Sequence, residues 1–175
     1  MPATYEPIAT TTLGSGTLSY TFSSIPQTYT DLRLVVITTR QNAGAGWYVG
    51  LQANGDTSST SYGYLLSQSY RSGGTNTTSA TVAMNDSYIQ ANQIDPGGAS
   101  QWALVTFDIM QYTRTDVFKT VFTRFSNAVN STNSSQNIGA GAFKSQSAIS
   151  SLTVVGQNYN LGAGSTLTLF GIKAA

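Results

Sequence analysis

Ala103-Leu104-Val105-Thr106-Phe107-Asp108-Ile109 is the stretch on which the fold turns. Ala103, Val105, Phe107 and Ile109 alternate with Leu104, Thr106 and Asp108, and an apolar residue at every second position marks a strand with one buried face. The same period extends outward in both directions. Leu18, Tyr20 and Phe22 alternate with Ser and Thr until Ser23-Ser24-Ile25-Pro26 breaks the pattern. Leu32, Leu34, Val35, Val36 and Ile37 form a denser run, which predicts a central strand covered on both faces. Trp47, Val49 and Leu51 alternate before the turn signal Asn54-Gly55-Asp56, and Tyr62, Tyr64 and Leu66 alternate after it, predicting a hairpin-like pair with a somewhat long connection. Ala80, Val82 and Met84 add a short strand. Residues 117–125 are ambiguous, because Phe118 and Phe122 also fit helical spacing, but Val, Thr and Phe favour a strand. Strands over 138–143, 149–155 and 167–172 complete the series.

Short strands between polar turns, with no helical segment longer than two turns, predict an all-β fold: an antiparallel two-sheet β-sandwich, jelly-roll-like, with four strands in each sheet. Leu34, Val36, Val105, Phe107, Leu167 and Leu169 are the expected core. The chain of 175 residues and 18.5 kDa fits one domain spanning 1–175, and a domain of that size buries roughly 70% of its unfolded surface. The polar stretches 69–78, 85–98 and 127–136 read as loops on this scaffold. Partner specificity usually sits on such loops, so Tyr70, Arg71, Asn85, Asp86, Tyr88, Asn127, Asn130 and Asn133 become candidate interaction residues.

Composition narrows the chemistry. The chain has no His and no Cys, eight Lys and Arg, and seven Asp and Glu. A Ser-His-Asp or Cys-His arrangement therefore cannot be built, and the leading ligands for zinc and other transition metals are missing. The expectation is a non-enzymatic protein with no cofactor and no metal. A net charge of +1, with basic residues scattered along the chain, gives no electrostatic footprint for nucleic acid. No apolar run approaches the ~20 residues of a membrane helix, and the opening Met-Pro-Ala-Thr has neither a charged nor an apolar leader region. Synthesis without a signal peptide and no membrane insertion are expected. Ten Tyr, seven Phe and two Trp argue for a packed core and against disorder.

Several motifs invite chemistry and have plainer readings. Asp86, Asp95, Asp108 and Asp116 could supply the two carboxylates of a glycoside hydrolase, which must stand about 5–10 Å apart; turn and surface roles suit them better. Asn54-Gly55-Asp56-Thr57-Ser58 offers oxygen ligands to Ca²⁺ but lacks the acid spacing of a calcium loop, so it reads as a turn. Gly44-Ala45-Gly46 and Gly139-Ala140-Gly141 lack the rest of a phosphate-loop signature and read as places of close backbone approach. Asn76, Asn85, Asn130 and Asn133 each begin an Asn-x-Ser/Thr triplet, which means little without secretion. The aromatics Trp47, Tyr48, Tyr62, Tyr64, Tyr70, Tyr88, Trp102, Tyr112 and Tyr159 could include a platform for sugar rings, although cores and interfaces use the same residues.

The two ends of the chain resemble a known family. Tyr5-Glu6-Pro7-Ile8-Ala9-Thr10-Thr11-Thr12-Leu13 and Phe22-Ser23-Ser24-Ile25-Pro26-Gln27-Thr28-Tyr29-Thr30-Asp31-Leu32 at the start are similar to bacteriophage virion structural proteins and tail-fibre end domains of the cyanophage type. So are Ser147-Ala148-Ile149-Ser150-Ser151-Leu152-Thr153 and Gly164-Ser165-Thr166-Leu167-Thr168-Leu169-Phe170-Gly171-Ile172-Lys173 at the close. The resemblance implies a β-sandwich on the exterior of a phage particle, made in the host cytoplasm, with no catalytic residues to carry over. Its expected partners are phage capsid or tail proteins, further copies of itself, most simply a trimer, and in a tail-fibre role a host glycan.

Overall fold

The computed structural model describes residues 5–39, 41, 48–91, 101–128 and 134–173. Among the described residues there are twelve strands and no helix. They are β1 (Tyr5–Thr12), β2 (Ser19–Phe22), β3 (Asp31–Thr38), β4 (Tyr48–Ala53), β5 (Tyr62–Ser72), β6 (Thr75–Asp86), β7 (Ile89–Gln90), β8 (Ala103–Ile109), β9 (Lys119–Ala128), β10 (Ser134–Phe143), β11 (Leu152–Gln157) and β12 (Thr166–Ile172). All pairings are antiparallel, in an eight-stranded sheet of order β1-β12-β3-β8-β9-β10-β5-β6 and a four-stranded sheet of order β2-β11-β4-β7.

The expected core is the observed one. Leu34, Val36, Val105, Phe107, Leu167 and Leu169 are fully buried, facing Val49, Leu51, Leu152 and Val154 of the small sheet. Gly139 and Gly141 on β10 permit the close approach read from the sequence: a Cβ at Gly139 would meet Leu66 at 2.3 Å, and one at Gly141 would meet Ile89 at 2.6 Å.

Four expectations change. The sheets hold eight and four strands rather than four each, because segments read as loops are strands that extend the large sheet. Residues 69–78, which contain Tyr70 and Arg71, form the tip of the β5–β6 hairpin. Its turn is Gly73-Gly74, with φ of 56° and 87°, the two positive values that a two-residue hairpin turn of matching twist needs. β-branched Thr75, Thr77 and Thr78 then carry the β6 side of the ladder, opposite Ser72, Tyr70 and Ser69 of β5. Likewise Asn85 and Asp86 end β6, Asn127 lies in β9, and Ser134-Ser135-Gln136 begin β10; Asn130, Asn133 and residues 92–98 lie outside the described residues.

The hairpin expected across Asn54-Gly55-Asp56 is instead a crossing between sheets, since β4 pairs with β11 and β7 while β5 pairs with β10 and β6. Tyr62 anchors the crossing: its buried hydroxyl donates to the Asp56 carbonyl at 2.8 Å and accepts the Ala53 N–H at 2.9 Å. Asn54, at φ 54°, latches the turn by accepting the Ser150 N–H and donating to the Ala148 carbonyl, each at 2.8 Å. The ambiguous segment is strand from Lys119 onward, with Phe118 and Phe122 exposed and Lys119 inside. Three backbone carbonyls, of Val117, Gln146 and Ser145, accept from the Lys119 ammonium at 2.9, 3.1 and 3.4 Å, which is why a cation is tolerated there.

The fourth change matters most for function. β3 is buried on one face only, and Ile37 is 46% exposed on the other.

Candidate interaction surface

The outward face of the large sheet carries far more apolar surface than a solvent face requires. Cross-strand register lays it out in rows. In one, Ile37 stands opposite Leu104, then Ser126, Gln136, Ser69 and Thr78 follow. In the next come Val35, Thr106, Arg124, Ile138, Ser67 and Ala80. In the third come Arg33, Asp108, Phe122, Ala140, Leu65 and Val82. Leu65, Val82 and Ile138 are 52%, 61% and 67% exposed, with Leu104, Phe122 and Met84 beside them. Six such side chains on one face give a patch of roughly a few hundred Å², the size at which monomer patches are often functional.

Of the charges on this face, Arg33 and Asp108 are paired with each other, while Arg124 stands exposed in the second row. Arg33 forms a two-pronged pair with Asp108, Nε to Oδ1 at 2.5 Å and Nη2 to Oδ2 at 3.0 Å, and the paired carboxylate holds the guanidinium pKa above its ordinary value. The guanidinium also lies 5.4 Å from the Tyr5 ring centroid. Toward β1 the face is Thr on Thr, with Thr10 donating to Thr168 across the strands at 3.2 Å. Toward the β5–β6 tip it becomes polar: an open groove of about 380 Å³ is lined by Ser69, Tyr70, Arg71, Asn76, Thr78 and Gln136, among others.

The candidate residues do not form one site. Tyr70 and Arg71 both line the groove. Asn127 is buried and structural, its Oδ1 accepting the Ser135 N–H at 2.9 Å and the Ser135 hydroxyl at 2.8 Å. Asn85, Asp86 and Tyr88 sit at the corner where β6 passes to β7. There Asn85 accepts from the Lys144 ammonium at 2.9 Å, and the Tyr64 hydroxyl approaches both Asp86 (3.2 Å) and Gln90 (2.8 Å). Burial, reinforced by the Asp86 charge, pushes the Tyr64 hydroxyl well above its ordinary pKa and that of Tyr88 up to about 12. Tyr88 covers Gly50, where a Cβ would fall 2.6 Å from its ring.

The acids weighed for hydrolysis are spread over different structural tasks. Asp108 holds Arg33, Asp116 holds Arg114 and Asp86 accepts from Tyr64, while Asp95 lies outside the described residues. Asp56, in the loop weighed for calcium, accepts the Ser58 N–H at 2.8 Å as a turn residue does. Of the aromatics considered for a sugar platform, Tyr62, Tyr64 and Tyr112 are buried and Trp102 is exposed. The apolar face is not evident in the sequence because Val35 and Ile37 look like additional core, Leu104 is a single apolar residue on its strand's polar side, and Phe122 lies in a segment of ambiguous period. Their signal was parity: each occupies the off-beat of an alternating strand. Against known proteins, the chain matches no family model and no curated sequence.

Proposed function

We propose that this chain is a non-catalytic structural subunit of a bacteriophage particle, a capsid decoration protein that attaches to neighbouring shell proteins through the outer face of its large sheet. The observation that carries the reading is the row of exposed Ile37, Leu65, Val82, Leu104, Phe122 and Ile138 on one rigid face. The resemblance of residues 5–32 and 147–173 to virion structural proteins supplies the particle. A sheet face presenting apolar side chains among neutral hydroxyls and an internally paired Arg33–Asp108 makes chiefly apolar contact, and its salt-dependent part is carried by the exposed Arg124 beside Ile138. Such a subunit bridges adjacent capsid proteins and adds contact area that opposes outward pressure from packaged DNA, and symmetric copies multiply the effect. The test is binding to shells purified without it, followed by imaging of the labelled protein on the particle. Phe122→Ser with Ile138→Ser should abolish attachment while preserving the circular dichroism of the wild type; undiminished attachment overturns the reading.

The polar groove supports a second reading, a tail-fibre module that holds host glycans, because hydroxyl and amide groups beside Tyr70 and Arg71 suit sugar recognition. Binding to a panel of host-surface saccharides that is lost in Arg71→Ala and kept in Phe122→Ser would favour it over decoration.

A further inference from the structure

The sandwich has four sheet edges, and three of them are blunted. β2 and β7 have four and two residues, too short to template another strand. β1 carries Glu6 and Pro7, and its register breaks between Pro7 and Ala9; a charge, a missing N–H and a bulge are the usual devices that stop edge pairing. β6 has none of these from Thr75 to Ala83. From Thr75 to Asn85 it holds eleven residues with no charge and no proline, and among the described residues no strand lies beyond it. Its only irregularity, a bulge opposite Tyr62–Tyr64, comes at its far end and leaves Thr75–Ala83 regular.

We propose that β6 is a self-recognition edge: two copies of this chain pair antiparallel along Thr75–Ala83 about a two-fold axis, joining their large sheets into one. Hairpin geometry shows which backbone groups are presented. Ser72 and Thr75 close a two-residue turn and so exchange both backbone hydrogen bonds, and the ladder alternates from there. Asn76, Thr78, Ala80 and Val82 therefore turn their N–H and C=O groups outward. The occupant is a second copy for two reasons. A neutral strand of Thr, Ser, Ala and Val meets its own antiparallel image without like-charge repulsion, and β-branched cross-strand pairs favour the match. The guarded β1 edge removes the head-to-tail alternative that would run on into open fibres, leaving the isologous contact, which closes at two. The proposal thus gives a dimer, where the sequence reading favours a trimer. The pairing sets both outer faces on the same side, so the two apolar patches become one surface.

This inference stands on the edge alone and does not require the particle reading. The experiment is sedimentation equilibrium of the full chain across micromolar to millimolar concentration, with hydrogen exchange on the same samples. Wild type should be a dimer in which the amides of Asn76, Thr78, Ala80 and Val82 exchange more slowly as concentration rises. Ala80→Pro removes one outward N–H without breaking the β5–β6 ladder, and Ala80→Lys places a charge on the edge; each should weaken the dimer at least tenfold. Ala80→Lys is a surface change and carries the test if the proline variant fails to fold. Ile138→Ser, on the outer face, should leave the dimer intact. A wild type that stays monomeric at millimolar concentration overturns the proposal. So does a dimer that both Ala80 variants preserve, or one that Ile138→Ser abolishes.

Discussion

The two ends of the large sheet, β1 and β6, solve the same problem in opposite ways. β1 is short and closed: Ile8 and Ala9 pack against the core, Glu6 pairs with Lys173 at 3.0 Å and accepts from Tyr29 at 3.0 Å, and Pro7 and a bulge interrupt the ladder. β6 is long and open: among the described residues it pairs with β5, packs Ala83 against the core, and is tied at its last residues by Lys144 and Tyr64. An edge is therefore not a uniform liability of β proteins. Guarding one edge and leaving the other bare gives a sheet a direction of growth.

The largest effect that tests this contrast lies in stability. Leu34 is fully buried on β3, and Leu34→Ala should cost about 2–5 kcal/mol through lost burial and a residual cavity. Val82, 61% exposed on β6, should lose no more than about 0.5 kcal/mol on truncation to Ala. Urea unfolding of both variants at low protein concentration reads the difference directly. Comparable losses would mean that β6 is packed like the interior and is not a free edge.

Alkaline pH should discriminate the two ends next. Burial raises the Tyr62 hydroxyl to about 12 and, with Asp86, that of Tyr88 to about 12, both on the β6 side of the molecule. A phenol with a raised folded-state pKa stays protonated where the unfolded chain ionises, so the stability it contributes is full below pH 10 and is lost as pH rises from 10 to about 12. Lys119, lowered chiefly by burial, acts oppositely and adds a little stability as pH climbs toward its ordinary value. The melting temperature should therefore fall steeply above pH 10, with tyrosinate absorbance appearing in the same window and β5–β6 amides losing protection before those of β1. Simultaneous loss at both ends would erase the contrast.

The Gly73-Gly74 turn is the next lever, because β6 depends on it and β1 has no counterpart. Gly74→Ala forces a Cβ into φ of 87°, a left-handed conformation costing about 1–2 kcal/mol per residue. Since the surrounding space is empty, the cost is conformational, and the hairpin tip should fray while the core keeps its exchange protection.

Much of this contrast was hidden in the sequence for a physical reason. Alternation identifies a strand and its buried face, so Leu34, Val36, Val105, Phe107, Leu167 and Leu169 were legible as core. Alternation says nothing about which sheet a strand joins or whether its off-beat residues are covered. Val35 and Ile37 therefore read as a second buried face of β3. Polar strands escape the test altogether: Ala80, Val82 and Met84 read as a short strand, but Ser69 to Thr78 contains too little hydrophobic signal to separate it from a loop, and Gly73-Gly74 ahead of a Thr-rich stretch is the mark of the hairpin. Tyr70 and Arg71 read as loop residues and are consecutive residues of β5, whose side chains leave opposite faces. Asn127, chosen by the same rule, is buried because its side chain closes the β9–β10 ladder on Ser135.

The smallest change in stability should bring the clearest change in assembly. Replacing Glu6 and Pro7 together by Thr strips the charge and the missing donor from β1, where both residues lie at the margin of the fold. The melting temperature should barely move, because an exposed ion pair stabilises little and a strand accepts Thr readily. With β1 bare, however, each copy would own two pairing edges, and a contact that closes at two through β6 could continue through β1 into open chains. Light scattering should then rise with concentration without reaching a plateau, where the wild type levels off at a dimer. Adding Ala80→Lys to the same variant removes the other edge and should shorten the chains again. If the double Thr variant assembles no further than wild type, Glu6 and Pro7 are not guards, and the asymmetry between the two ends must lie in the β1 bulge or in how the chain enters β1.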